Sequence, residues 1–466
     1  MTRPPMPDHR PDRVALWRHL AMFRRDILST QPARLYRAKM AEVKLPFLQS
    51  VMVNTPDLVR LVLSGRPRDF PKSERVREGL RLLLGNSVFV TNGPVWERQR
   101  RMIDPAFEGG RLRETFPAMW DATQACAARL EGGAVEIEEV MSHAAADVIF
   151  RTLFSLPIED ATASEVYKTF RAHQRSAPIL NLAALIPFPR WMPRYFPRAT
   201  RDTAAYIRQL ITQLVDQRMR EIAEGCAPDD LATKILTTRD PETGQTFSRD
   251  EMVDQVAIFF LAGHETSASA LAWTLYLLAT HPDWQARLAL EAQALRLNVD
   301  AGAAPDFSIL KQFPLIRDTF REALRLYPPV PMLVRETTQS EEFRARKLRK
   351  GAQVVVSLWH MGRHEAIWDA PHDFRPERWQ EAANKSCARD AFLPFSSGPR
   401  VCTGAGFAMA EAVLILARLL ADWEFRAIDG RVPVPMAHMT VRARDGIWLD
   451  LRRRNLGNVS GQGAAG

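Results

Sequence analysis

Apolar positions along this chain repeat mostly with the period of a helix, and only briefly with that of a strand. From Arg111 to about Gly225 the spacing is largely helical. The longest unbroken pattern is FSRDEMVDQVAIFFLAGHETSASALAWTLYLLATHPD, residues 247–283. Ser248 and Glu251 have the spacing of a capping box at its start, and Pro282 is predicted to stop it. About 33 residues at 1.5 Å each give a helix roughly 50 Å long. Between Val256 and Ala279 it is apolar nearly all round, so it must run through the core.

Shorter elements flank it. FLQSVMVNTPDLVRLVL, residues 47–63, reads as a strand or hairpin and then a helix, with Thr55 as N-cap and Pro56 at the first helical position. GPVWERQRRMIDPAF, residues 93–107, predicts a charged helix closed by Pro105. One further helix ends at FREALRLYPPVP, residues 320–331, and another spans GFAMAEAVLILARLLADW, residues 406–423. QVVVSL, residues 353–358, is strand-like. Residues 177–197 interrupt the helical pattern with five prolines among large apolar side chains.

The chain has 466 residues, 46% hydrophobic and 25% charged, with no linker-like tract in the middle, which predicts one large domain. Its net charge of +9 is spread along the sequence and interleaved with acids, which argues against nucleic-acid binding. Such an excess suits an acidic protein partner, or is an ordinary basic surface. Cys126, Cys226, Cys387 and Cys402 show no C-x-x-C spacing, so neither a disulfide scaffold nor a cysteine metal cluster is expected. No stretch reaches 18 consecutive apolar residues, so no transmembrane segment is expected, nor a secretory leader in the Arg- and Asp-bearing first residues. A cytoplasmic location follows as the expectation. G-x-G-x-x-G at Gly461, Gly463 and Gly466 lacks a following helix, and HETSA at His264 lacks the second histidine of a zinc helix.

Two places carry chemistry. FSSGPRVCTG, residues 395–404, sets Cys402 among glycines, where backbone can approach something large. The central helix has one polar island, Gly263-His264-Glu265-Thr266-Ser267. Thr266 there either satisfies itself on a backbone carbonyl or opens, with Gly263, a notch for a ligand. Glu265 beside it is a candidate proton source.

Together these residues resemble the haem-thiolate monooxygenases, the cytochrome P-450 superfamily. The F-x-x-G-x-R-x-C-x-G pattern is met by Phe395, Gly398, Arg400, Cys402 and Gly404, and A-G-x-[DE]-T by Ala262, Gly263, Glu265 and Thr266. E-x-x-R is Glu322 and Arg325, W-x-x-x-R is Trp96 and Arg100, and PERW carries Arg378 with Trp379 where the family usually has Phe. The match runs from about residue 35 to 452.

The resemblance implies a mainly α single triangular domain with small β-sheets: an N-terminal extension over 1–35, a catalytic domain over 36–454 and a disordered tail over 455–466. It implies haem b with Cys402 as the axial ligand of the iron. Trp96, Arg100, Arg400 and, less strictly matched, Arg335 would hold the propionates. Ala262, Phe395, Gly398 and Gly404 complete the cofactor-binding set. Thr266 and Glu265 become the hydroxyl–acid pair that delivers protons on the distal face, and Glu322, Arg325 and Arg378 a buried structural network. O2 is the implied co-substrate and an apolar organic molecule the implied substrate. Electrons from NAD(P)H must come from outside, through a ferredoxin or flavodoxin with its reductase, because no flavin or iron–sulfur motif stands in a credible setting. Arg98 and Arg101, beside Arg100, are candidates for steering that partner, or belong to a solvated charged face. The Pro-rich stretch 177–197 is expected to cover the substrate channel. A peroxide-using peroxygenase of this fold and a haem-binding sensor are the alternative readings.

Overall fold

Local chemistry sets the ends of the central helix. In the computed structural model, which describes residues 3–12, 14–44, 48–176, 196–300 and 304–454, the Ser248 side chain accepts from the Glu251 N–H and the Glu251 carboxylate accepts from the Ser248 N–H. That reciprocal cap satisfies two of the donors a helix start leaves orphaned. The C-terminal end differs from the expectation. The helix stops at Ala279, with Thr280 as its cap, and Pro282 opens the next helix instead of closing this one. Proline's fixed φ and missing N–H fit a first helical turn as well as a stop signal.

The principal helices, in chain order, are α1 (Leu16–Arg25), α2 (Glu74–Leu84), α3 (Gly93–Ile103), α4 (Phe116–Arg129), α5 (Ile137–Phe154), α6 (Ala161–Ser176), α7 (Arg198–Glu224), α8 (Arg249–Ala279), α9 (Pro282–Asp300), α10 (Pro314–Leu326) and α11 (Ala405–Asp422). The strands are β1 (Met40–Lys44), β2 (Gln49–Val53), β3 (Gly133–Glu136), β4 (Met332–Glu336), β5 (Glu341–Phe343), β6 (Arg346–Leu348), β7 (Gln353–Ser357), β8 (Trp423–Ala427), β9 (Pro435–Ala437), β10 (Val441–Ala443) and β11 (Trp448–Arg453). They form small sheets: β1-β2-β7-β4, β3-β11-β8 and the hairpins β5-β6 and β9-β10. The molecule is therefore mainly α with small β-sheets, as the sequence predicts.

Helix α8 is buried on almost every side, and packs along α5 and against α7, α10 and α2. Its Trp273 stacks on Tyr327 at the end of α10, ring centroids 4.0 Å apart and 6° from parallel. A second apolar cluster sits under the four-stranded sheet, built from Val51, Val53, Val354, Val356 and their neighbours. Described residues of the N-terminal segment pack onto this body: Leu28 is buried in the main core and the Tyr327 hydroxyl donates to the Pro5 carbonyl at 2.8 Å. Residues 177–195 of the Pro-rich stretch and the tail 455–466 lie outside the described residues.

Buried where α10 meets residues 362–378 is a satisfied charge network. Arg325 grips Glu322 with two nitrogens at 2.7 and 2.9 Å, and Arg378 Nε reaches the same carboxylate at 2.9 Å. The spare donors of both arginines end on the carbonyls of Gly362, Pro371, Asp373, Asp369 and Ala370. All three side chains are fully buried, so the sequence-matched Glu322, Arg325 and Arg378 do meet. They tie α10 to the loop before the cysteine segment. Trp379, the departure from the family pattern, packs its ring on Phe392 and under Arg321.

Candidate active site

One interruption in the burial of α8 faces inward. Ala262, Gly263 and Thr266 are open to an internal cavity of about 1380 Å³. Gly263 is held to glycine by packing, because a Cβ there would run into the Ile149 side chain. Across the cavity lies the cysteine loop. Gly398 has φ +70°, and a Cβ at that position would strike the Leu63 carbonyl, so this turn admits glycine alone without rearrangement. The Cys402 N–H donates to the Phe395 carbonyl at 2.8 Å, which closes the loop. Cys402 then opens onto the cavity, while protein surrounds it on its other sides. Burial pushes its thiol up, with the nearby Gly404 N–H pulling the other way. Gly404 has nothing within 4 Å of the place a Cβ would occupy.

A cluster of cations stands on one side of the same cavity. Lys72, Arg100, Arg335 and Arg400 all line it, with Trp96, and Arg400 lies over the Trp96 ring at 4.2 Å. Arg100 is paired with Asp104 at 2.9 Å. The other three find only neutral partners among the described residues. Lys72 Nζ donates to the carbonyls of Val88 and Phe89, Arg335 to that of Val334, and Arg400 to the Thr91 carbonyl and Asn92 Oδ1. Burial first, and repulsion among the cluster second, hold Lys72 well below the usual lysine range and bring Arg335 and Arg400 down to about 10. Buried cations without anions are costly, so the site is built for an anionic ligand. Lys72 was not legible in the sequence, since nothing in PKSER marks it.

The site therefore brings together Trp96, Arg100, Ala262, Thr266, Arg335, Phe395, Arg400, Cys402 and Gly404 around one cavity. Gly398 stands behind the loop. Glu265 is not brought there. Neighbouring positions on a helix point about 100° apart, so facing Thr266 to the cavity turns Glu265 away. Its buried carboxylate is held by Arg442 Nη2 at 2.6 Å, by the Thr440 hydroxyl, and by Gln174 Nε2 at 3.0 Å. The Thr266 hydroxyl donates to the Ala262 carbonyl at 2.5 Å, so backbone satisfaction and a place on the cavity wall hold together.

Two other expectations are decided by pairing. Arg98 is bound to Glu251 at 2.6 Å, and Arg101 to Asp240 at 2.7 Å and Glu242 at 2.9 Å. Both charges are paired within the fold. Glu411 of α11 also reaches the cavity unannounced. The Ser267 hydroxyl donates to its Oε2 at 2.7 Å, its Oε1 is buried without a hydrogen bond, and burial pushes the carboxyl up to about 8.

A thiol facing a mostly apolar cavity, beside cations without carboxylate partners, suits an anionic ligand that can also engage sulfur. The comparisons with known proteins agree. The cytochrome P450 family model matches residues 12–447. Cyclooctat-9-en-7-ol 5-monooxygenase of Streptomyces melanosporofaciens is 33% identical over 423 residues, 90% of this chain and 87% of its own. Cytochrome P450 4A10 of Mus musculus is 30% identical over 420 residues, 86% and 81% of the two chains. The crystal structure of the cytochrome P450DA heme domain superposes with a TM-score of 0.78 at 24% identity, covering 97% of this chain and 98% of that one. This chain belongs to the cytochrome P450 family, and is a haem-thiolate oxidoreductase of organic substrates. Among the described residues no helix is long and apolar enough to cross a membrane.

Proposed function

We propose that the protein is a haem b-dependent monooxygenase that inserts one atom of O2 into an apolar organic substrate, with electrons from NAD(P)H delivered by a ferredoxin or flavodoxin and its reductase. The observation that carries this reading is the set of cavity-lining cations without carboxylate partners beside a cavity-facing Cys402. Two propionates would offset two of the three charges on Lys72, Arg335 and Arg400, with Trp96 and Arg100 beside them. Cys402 would hold the iron as thiolate, since a metal cation favours the ionised sulfur that burial alone opposes. Haem held there would supply the redox centre for dioxygen activation, tuned by the Cys402 thiolate.

The chain's own residues do the remaining work. Phe395 and Gly404 shape the proximal wall. Ala262 and Thr266 form the distal wall, where the Thr266 hydroxyl stands on the cavity-facing side of α8. The Glu265 carboxylate lies behind that wall, paired with Arg442. Elsewhere the lining is largely apolar, with Phe107, Ile149, Ile258, Phe259 and Leu333 among it, and Glu411, Arg10, Arg34 and Arg77 add charged groups at other points of the wall. The name of the Streptomyces relative makes an apolar alcohol such as cyclooctat-9-en-7-ol the first substrate to test.

The test is turnover of the purified holoprotein with a plant-type ferredoxin, its reductase, NADPH and ¹⁸O₂ on cyclooctat-9-en-7-ol and a panel of other apolar alcohols. A product carrying one labelled oxygen supports the reading. Oxidation with added hydrogen peroxide alone, and none with the reductase system, would make the enzyme a peroxygenase instead.

A further inference from the structure

The acid of the helix pair and the hydroxyl that follows it in sequence share no hydrogen bond among the described residues. Thr266 spends its hydroxyl on Ala262, and Glu265 points to the other side of α8. A different hydroxyl meets that carboxylate. Thr440, in the turn of the β9–β10 hairpin, donates to Glu265 Oε1 from 175 residues away. Thr440 also lines the cavity, together with its neighbours His438 and Met439. It is thus a hydroxyl in contact with the buried acid that also forms part of the cavity wall.

Resting on the monooxygenase reading above, we propose that Thr440 is the hydroxyl through which the Glu265 carboxyl exchanges a proton with the cavity, with Arg442 as the positioning residue that holds the carboxyl against it. The balance is simple. When Glu265 carries a proton, its carboxyl donates to Thr440 Oγ1, and the threonine turns its own hydroxyl hydrogen to an acceptor in the cavity. One proton leaves the acid and one enters the cavity. No electron moves, and the carboxylate is left paired with Arg442. A hydroxyl suits the step because it donates once while accepting. Arg442 fixes the geometry by reaching Glu265 Oε1 at 2.6 Å and Gln174 Oε1 at 2.9 Å with the same nitrogen. Gln174 in turn donates to the other carboxylate oxygen, so the acid is gripped on both sides. His264, the neighbour on α8, takes no part: its ring is hydrogen-bonded to Ser142 at 3.1 Å.

Thr440→Val removes the hydroxyl at nearly constant volume, and Thr440→Ser keeps it. The experiment uses haem-loaded wild type and both variants, with a plant-type ferredoxin system and styrene as probe substrate. The first readout is the infrared band of the Glu265 carboxyl, assigned by its disappearance in Glu265→Gln. It shifts in Thr440→Val and returns in Thr440→Ser. The second is the share of NADPH electrons recovered as hydrogen peroxide, which rises several-fold in Thr440→Val and falls back in Thr440→Ser. An unmoved infrared band, or wild-type peroxide yield in Thr440→Val, overturns the proposal. Failure of Thr440→Ser to restore either readout also overturns it, because packing would then be the cause. Wild-type protein lacking a thiolate-type haem spectrum would instead overturn the monooxygenase reading on which this step rests.

Discussion

Glu322 sits where three positive or polar groups converge, and its worth lies in what its removal would strand. With the carboxylate gone, Arg325 and Arg378 remain fully buried with carbonyls but no counter-charge. Breaking one partner of such a network typically costs about 3–5 kcal/mol. Glu322→Ala is therefore expected to lose that much in urea-induced unfolding; a loss below about 1 kcal/mol would contradict the account. Glu411 makes the opposite kind of prediction. Burial raises its carboxyl from 4.5 to about 8, so between those values the native state holds a proton that the unfolded chain has released. Native stability then falls as pH rises through this window, and is indifferent to this group below and above it. Glu411→Gln lacks the titration. Its melting temperature should fall less than the wild type's between pH 5 and pH 8, and equal falls would count against a neutral Glu411.

At the scale of elements, the cysteine loop and α8 are the two walls that matter, and each depends on a glycine. Gly398→Ala must adopt a left-handed conformation, at about 1–2 kcal/mol, and also move the Leu63 carbonyl out of its way. The expected result is a lower haem content per chain and a lower melting temperature; wild-type values for both would show that the loop tolerates the change. These two walls were legible in the sequence because their signals are local. Cys402, its glycines and its arginine lie within ten residues, and the capping box marks the start of α8. The direction of Glu265 was not legible. A helix apolar nearly all round carries no periodicity to say which side faces the cavity.

Across the whole molecule, what the sequence withheld depends on distant segments meeting. Lys72 joins Arg335 and Arg400 from far along the chain, and Thr440 and Arg442 reach Glu265 through a hairpin near the C-terminal end. Arg98 and Arg101 look like free charges until the fold brings Glu251, Asp240 and Glu242 against them. Spacing rules describe neighbours in a helix or loop, and these pairs are not neighbours. The mainly helical class and the cysteine-loop and α8 sides of the cavity needed only such local rules.

The central claim is that this whole fold converges on a sulfur-bound haem at Cys402. The most direct test is the absorption spectrum of the purified protein, reduced and exposed to carbon monoxide, for wild type and Cys402→Ser. The account predicts a strongly red-shifted Soret band in the wild type that the substitution abolishes. A wild-type band at the ordinary haem position, or no Soret band from haem-supplemented expression, would contradict it.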